Sequence, residues 1–244
     1  MEKPRVPGAS IGDVWRVPIA IWRARRAVDA GDLETARRLV APLLGTFGGV
    51  TLVRKIAGEI LYASGDPLSA AALFEHAAKK LRGDRAIAVG LVASYAALNR
   101  AGDARRSAQL LPDHIDVRLA LAWSELVAIG GDRAAGAALV AEIARDPDLA
   151  ASPERRAMHH ALSAIAAAHS ADRDGVHDAL ARVDGEGKRM RVADRAFVEY
   201  LCGVALREAG LASEARARFA KGIDLSPSSI GGALAGRELA NLGR

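Results

Sequence analysis

The residues that could carry out chemistry are few and scattered. The six histidines are dispersed, and the adjacent pair His159 and His160 would point about 100° apart on a helix, which is poor geometry for holding a metal. The single cysteine, Cys202, lies in the apolar stretch FVEYLCGVALREAG, which favours a small buried side chain over a reactive thiol. One cysteine also excludes an intrachain disulfide. We therefore expect no metal site and no thiol chemistry.

Sequence motifs of enzymes give little more. There is no H-E-x-x-H, and no paired C-x-x-C. The stretch DGEGKRM at 184–190 has part of a phosphate-binding loop, but it lacks the glycine four residues before the Gly-Lys pair and the hydroxyl residue after it. We interpret this stretch as a loop between helices. The chain is predicted to be a non-enzyme without a cofactor, although a catalytic set assembled from distant helices would leave no such pattern.

The elements that would position a site are helices. Of the 244 residues, 50% are hydrophobic but only 4% aromatic, and the good helix formers Ala, Leu, Arg and Glu dominate. The early apolar run VPIAIW is too short for a secretory signal. The longest uncharged stretch, AIAVGLVASYAALN, has about 14 residues, whereas a membrane span needs roughly 20. The composition predicts an all-α protein, and we expect a cytoplasmic location.

Six short turns recur along the chain at steps of 34, 37, 29, 40 and 39 residues, which is typical of a repeat array. A glycine in such a turn can end one helix, and the aspartate that usually follows can cap the next. Each turn therefore predicts a helical hairpin. The turns are AGDLETARRLV at Gly31, SGDPLSAAALF at Gly65, AGDARRSAQLL at Gly102, GGDRAAGAALV at Gly131, SADRDGVHDAL at Ala171 and AGLASEARARF at Gly210.

Small and large residues alternate around these turns in a fixed way. Five residues after each turn stand Ala36, Ala70, Ser107, Gly136, Val176 and Ala215, mostly small residues that suit a helix crossing. Nine residues after each turn stand the large apolar residues Val40, Phe74, Leu111, Val140, Leu180 and Phe219. Such positions predict knobs in the core of each hairpin.

With these features the chain resembles the tetratricopeptide repeat family, whose unit is a 34-residue helix–turn–helix. The resemblance covers about 210 residues. The last unit matches through Gly203, Leu206, Gly210, Ala215, Phe219 and Pro227. The second unit matches through Gly58, Leu61, Ala70, Phe74 and Ala77. The third and fifth units depart most from the pattern, because Pro112 shortens the third and the fifth lacks the turn glycine.

The resemblance implies an α–α superhelical solenoid of about six repeats over residues 17–229. Residues 230–244 are predicted to form a C-terminal capping helix that covers the last apolar surface. Residues 1–16 are predicted to be an N-terminal extension or cap, with Pro18 in the first turn of the helix that follows.

The resemblance also implies a concave groove, lined by the first helix of each hairpin, that holds a partner segment. Glu59 stands one turn after Lys55 where asparagine would complete the set by which some family members bind chaperone tails, so we exclude that role. Apolar patches beside basic residues suit an amphipathic helix or an extended segment with acidic residues. Carried over to this sequence, the partner-binding residues are Arg25, Lys55, Glu59, Tyr62, Asn99, Arg118, Leu121 and Glu125.

The leading hypothesis is a non-catalytic scaffold that binds another protein or a peptide. The alternative is a peripheral membrane adaptor, because Trp15 and Trp22 lie beside several arginines and the whole net charge of +5 falls within residues 1–55. The same residues also fit a solvated helix face and a cap of the first hairpin. Nucleic acid is not expected as a partner, because the basic stripe is short. Self-association through the end helices stays open.

Overall fold

The computed structural model describes residues 11–243, with side chains from Val17 onward except that of Lys188. This part of the chain is all-α, as predicted, and forms thirteen α-helices, two short 3-10 segments (147–151 and 187–189) and no strand. The helices are α1 (Ile11–Asp29), α2 (Leu33–Phe47), α3 (Thr51–Ala63), α4 (Pro67–Ala78), α5 (Arg85–Ala97), α6 (Ala101–Ala108), α7 (Ile115–Val127), α8 (Arg133–Ile143), α9 (Pro153–His169), α10 (Arg173–Glu186), α11 (Val192–Glu208), α12 (Ala212–Leu225) and α13 (Ile230–Asn241).

The helices pair as hairpins in chain order, from α1 with α2 to α11 with α12. Each hairpin also packs against the next, and α13 packs on both α11 and α12. The predicted count of six hairpins followed by one more helix is confirmed for the described residues. The arrangement is that of a helical repeat, in which neighbours along the chain are neighbours in space.

Each hairpin turn contains one residue with positive φ, which ends the first helix. Four of the six second helices then begin at an aspartate whose carboxylate accepts a backbone N–H three residues on. The donating N–H groups are those of Thr35 to Asp32 at 3.0 Å, Ser69 to Asp66 at 3.1 Å, Ala135 to Asp132 at 3.0 Å and Gly175 to Asp172 at 2.9 Å.

The third and fourth turns were predicted at the wrong residues, the fourth by one position, because Gly130 and not Gly131 has the positive φ. The third turn was misplaced by more. The positive φ of 57° belongs to Asn99, so that Gly102 lies inside α6. Asparagine tolerates this conformation better than most residues, and a glycine search overlooks it. With Asn99 as the reference, Ala104 instead of Ser107 is the fully buried crossing residue. The first three turns, at 31, 65 and 99, are then each 34 residues apart.

Several loops are shorter than the sequence indicated. The helix α1 begins at Ile11, so Pro18 lies inside it and not in its first turn. Pro18 is exposed, and a proline there removes one helical hydrogen bond without a clash in the core. Residues 11–16 therefore belong to α1, and residues 1–10 of the predicted extension lie outside the described part. Residues 184–186 likewise continue α10 instead of forming a loop.

The predicted contacts between small and large residues bring neighbouring helices close together. The ring of Phe74 lies between Gly58 and Gly90, where an added Cβ would come within 2.9 Å and 2.4 Å of ring carbons. The ring of Phe219 lies against Gly203 in the same way, at 2.4 Å from an added Cβ. Both phenylalanines are fully buried. Glycine at these positions therefore sets the spacing between helices.

The C-terminal helices fold back against the first half of the chain. The turn at Gly65 lies beside Ala233 of α13, since an added Cβ there would be 3.2 Å from the alanine methyl. Arg237 of α13 donates to the Ala97 carbonyl at 3.2 Å, and Arg191 lies 3.5 Å from Asp29. These contacts join hairpins that are far apart in sequence, so the array is closed upon itself.

We predict that Gly203→Ala lowers the free energy of unfolding by about 1–2 kcal/mol, because overpacking against Phe219 outweighs the gain in helix propensity. Gly45→Ala is the matched control. It lies in α2, and an added Cβ there would meet no atom within 4 Å. That change should stabilise the chain by about 0.5–1 kcal/mol. Urea unfolding followed by circular dichroism measures both. Equal stability of Gly203→Ala and the wild type would contradict the packing account.

Candidate functional site

A cavity of about 310 Å³ opens among the first helices of five consecutive hairpins. Its walls come from α3, α5, α7, α9 and α11, with Arg191 at the residue that precedes α11. None of its lining residues belongs to a second helix. The lining residues are Tyr62, Val89, Ala93, Asp116, Leu119, Ala120, Trp123, Glu154, Arg155, Met158, Arg191, Asp194 and Phe197.

The floor and walls of the cavity are apolar and aromatic. The Trp123 ring is almost fully buried and meets the Phe197 ring edge-on, with 4.9 Å between centroids. Val89 and Met158 are partly buried, which leaves apolar surface towards the cavity. Burial raises the pKa of Tyr62 well above its usual value, and the nearby Tyr200 and Asp194 act in the same direction. Tyr62 is therefore a neutral phenol in the wall.

Charged side chains form the rim. Arg155 donates two hydrogen bonds to the Asp116 carboxylate, at 2.7 and 3.0 Å, and a third to the Asp148 carbonyl at 3.0 Å. These bonds to Asp116 are the main reason that the pKa of Arg155 is raised. Arg191 donates to Asp194 at 2.7 Å. Both arginines are therefore held by carboxylates, and these two ion pairs lie beside the Glu154 carboxylate around an apolar centre.

Two of the predicted partner-binding residues lie at or beside this cavity. Tyr62 lines it, and Glu59 lines an adjoining pocket that shares Tyr62, Val89 and Asp116 with it. The Glu59 carboxylate accepts a hydrogen bond from Arg25 at 3.2 Å. Arg25 is itself exposed on α1, so this ion pair links the first helix to the edge of the adjoining pocket.

The other two predicted cations are used within the fold. The Lys55 ammonium lies 2.7 Å from Asp84, the residue that caps α5. Arg118 binds Glu142 and Asp146 at the end of α8 and just after it, each at 3.2 Å. Both side chains are mostly buried, so they join neighbouring helices and are not presented to a ligand.

Three predicted residues lie away from the cavity lining. Glu125 was predicted to bind a partner, but its carboxylate is buried. It accepts a hydrogen bond from Arg105 at 2.6 Å and one from the Asp132 backbone N–H at 2.7 Å. Its carboxylate is consumed in joining α6, α7 and the next turn. Asn99 occupies the left-handed turn position, and Leu121 packs against the core. The error in the third turn affected Asn99, since it was taken as a helical residue facing the groove.

Most of the cavity-lining residues were not among the partner-binding residues predicted from the sequence, although a signal exists. Asp116, Leu119, Ala120 and Trp123 are spaced i, i+3, i+4 and i+7, so one face of α7 supplies a third of the lining. A polar residue followed by a large apolar one three or four positions later recurs as Glu154 with Met158 and as Asp194 with Phe197. Aligning these pairs across units would have identified the rim and the wall together.

Among the side chains described between residues 17 and 243, no cluster of three His, Cys, Asp or Glu residues is arranged to hold a metal ion. In the same range, no helix is long and apolar enough to cross a membrane. Cys202 is fully buried, and burial raises the pKa of its thiol to about 12, so the thiol is protonated at neutral pH. His159 is also buried and contacts the Val140 carbonyl through Nε2 at 3.1 Å.

Titration of the three tyrosines tests whether their side chains are buried as the structure has them. The pKa of Tyr95 and that of Tyr200 are each raised to about 12, chiefly by burial, and that of Tyr62 is raised further. The unfolded chain should ionise near pH 10, so it releases protons first and the folded state loses stability as the pH rises from about 10 towards 12. We predict that absorbance at 295 nm stays flat to about pH 11 and then rises together with unfolding. A folded protein with one tyrosine that titrates near pH 10 would contradict this.

No protein-family model matches the sequence, and no curated protein matches it.

Proposed function

We propose that this chain is a tetratricopeptide-like superhelical solenoid that serves as a non-catalytic scaffold and binds a segment of another protein in its cavity. The helical hairpins in chain order support the architecture, as do the first three turns at intervals of 34 residues. The glycine and alanine residues at the helix crossings support it further, because they are the family's small positions.

One observation carries the binding role. The cavity takes its lining from the first helices of five consecutive hairpins and from the residue just before α11. In a superhelical solenoid those helices form the concave side, which is where the family resemblance implies that a partner binds. The cavity therefore lies where a repeat scaffold would hold its ligand, and it combines apolar walls with polar groups at the mouth, which is typical of ligand sites.

The size of the cavity favours a single bound side chain over a whole bound helix. Ligand pockets of proteins range from about 300 to 1,000 Å³, and this cavity is at the lower end. Room of this size suits one or two large apolar side chains of an extended segment. The rim carboxylates of Asp116, Glu154 and Asp194 can accept hydrogen bonds from the backbone of such a segment or from its basic side chains. The partner residue that enters the cavity, which we call the anchor, is therefore apolar. An acidic segment is less suitable, because the arginines at the mouth are already bound to carboxylates.

The charge pairing of Asp116 and Asp194 supports a binding role for these two carboxylates over general-base catalysis. A general base must have its carboxylate within reach of a substrate proton. Asp116 is engaged by two hydrogen bonds from Arg155, and Asp194 is engaged by Arg191. Such pairs hold the shape of the mouth, and the scaffold needs no cofactor for this.

A cavity-filling substitution tests the proposal. Val89 lines both the cavity and the adjoining pocket, so Val89→Trp should fill the space that the anchor needs. Ala141→Trp, at an exposed position on α8, is the matched control of equal size. A peptide-display library is selected against the wild type, and the enriched peptides are measured against both variants. We expect the peptides to share a large apolar residue and to bind Val89→Trp about tenfold more weakly or worse, as at an interface hot spot.

The control should bind as the wild type does, and circular dichroism and thermal melting should show both variants folded. Peptides that bind Val89→Trp and the wild type equally well would remove the cavity as the site. Selection that enriches no peptide, or peptides without a common apolar residue, would contradict the scaffold role itself.

A further inference from the structure

The first helix exposes an apolar and basic face. Ile19 is 54% exposed and Trp22 56%, and these two large apolar side chains lie one turn apart on the same helix. Arg23 and Arg26 are also exposed. The spacing i, i+3, i+4 and i+7 places all four on one side of α1. The Arg26 guanidinium lies over the Trp22 ring, 5.0 Å from its centroid. We call these four residues the α1 end face.

The repeat itself shows how this face is used elsewhere in the molecule. Because the first three turns are 34 residues apart, each residue of the α1 end face has an equivalent in α3 and another in α5. Every one of those equivalents is buried, although their counterparts in α1 are exposed. The equivalents are Val53, Ile56, Ala57 and Ile60 in α3, and Ile87, Gly90, Leu91 and Ser94 in α5.

In both cases the cover is the second helix of the preceding hairpin. The α3 residues share one buried cluster with Val40, Leu43 and Phe47 of α2. In α5, Gly90 lies directly under the Phe74 ring of α4. A helix with large apolar side chains at i, i+3 and i+7 is therefore the natural cover of this face. Among the described residues, α1 has no such helix over it.

The α1 end face differs from its equivalents in charge. Arg23 and Arg26 stand where α3 has Ala57 and Ile60. A complementary cover must bury Ile19 and Trp22 and also place carboxylates beside two guanidinium groups. We propose that the α1 end face docks an acidic amphipathic helix of a partner protein, packed as α2 packs on α3. This site is separate from the cavity and does not depend on the function proposed for it.

A second copy of the chain fits the face less well. The helices α12 and α13, at the opposite end of the array, contain none of the large apolar residues that are exposed in the described part of the chain. Head-to-tail stacking would therefore give Ile19 and Trp22 no apolar counterpart. A symmetric contact between two α1 end faces would bring arginines together from both copies, which is unfavourable without acidic groups between them.

A membrane surface also fits less well. An interfacial helix buries a broad apolar face in the lipid. The broad apolar face of α1, formed by Val17, Ala20, Ile21, Ala24 and Val28, instead packs on α2 and α3. What α1 exposes among the described side chains is a narrow stripe with two large apolar residues. A helix lying across it can cover such a stripe completely, whereas a bilayer would gain little from it.

The test uses two designed 15-residue helical peptides. Each has large apolar residues at the spacing of Val40, Leu43 and Phe47, and its flanking positions carry glutamates in one peptide and lysines in the other. We expect the glutamate peptide to bind the wild type and to lose affinity about tenfold or more on Trp22→Ala and on the double change Arg23→Glu and Arg26→Glu. The lysine peptide should prefer the charge-reversed protein. Arg37→Glu with Arg38→Glu, on the exposed side of α2, is the matched charge control.

Fluorescence anisotropy of labelled peptides measures all of these affinities, and circular dichroism shows that each variant is folded. The proposal is overturned if the wild type does not distinguish the two peptides, or if the α2 control loses affinity as much as the α1 variant. Loss of binding in Val89→Trp would assign the peptide to the cavity instead. Binding of phosphatidylserine vesicles that depends on Trp22, without binding of the glutamate peptide, would replace the helix with a membrane.

Discussion

Close approach of helices at residues without bulk is the constraint on which the rest of the structure depends. Phe74 can lie between α3 and α5 only because Gly58 and Gly90 have no side chain, and Phe219 can lie on α11 only because of Gly203. Interiors of proteins are packed densely, so one added methyl group at such a point has to move a helix. The distance between helices at these crossings also determines how the following hairpins are positioned, because each hairpin packs against the previous one. The aspartate caps and turn residues then fix where each helix begins and ends.

Closure of the array follows from this packing and creates the cavity. As α11 and α13 turn back towards α3 and α5, the aromatic residues of α11 reach the wall formed by α7, and Trp123 meets Phe197. The inner side of the array is therefore largely filled by the chain itself. The space that remains is a small pit with a charged rim, where an open repeat array would leave a long channel. Under the function proposed above, this shape favours selection of a partner by one anchor residue, because most of the inner surface is already buried.

The sequence predicted the hairpins well because their signals are local. Turn residues, caps and small crossing positions act within about ten residues of one another, and these features placed Gly58, Phe74, Gly203 and Phe219 correctly. The third turn was misplaced because asparagine, and not glycine, takes the left-handed conformation. The cavity was harder to predict, because it depends on how far the array closes. That closure brings Tyr62 of α3 and Asp194 of α11 to one site, and no local pattern records it.

The basic residues show that the position of a charged side chain in the fold must be known before its role can be inferred. Lys55 and Arg118 are basic residues of the type that binds ligands, and the sequence predicted that role. In the structure each is largely buried against carboxylates of, or next to, a neighbouring helix. Their contribution is to join hairpins. Arg23 and Arg26 occur in the same repeat pattern, but they replace apolar residues at positions that the later units bury. A cation at such a position disfavours an apolar neighbouring hairpin, and under the proposal for α1 it favours a partner that brings negative charge. Two of the basic residues among the first 55 thus lie on one helix face, and the docking proposed for α1 depends on these two charges.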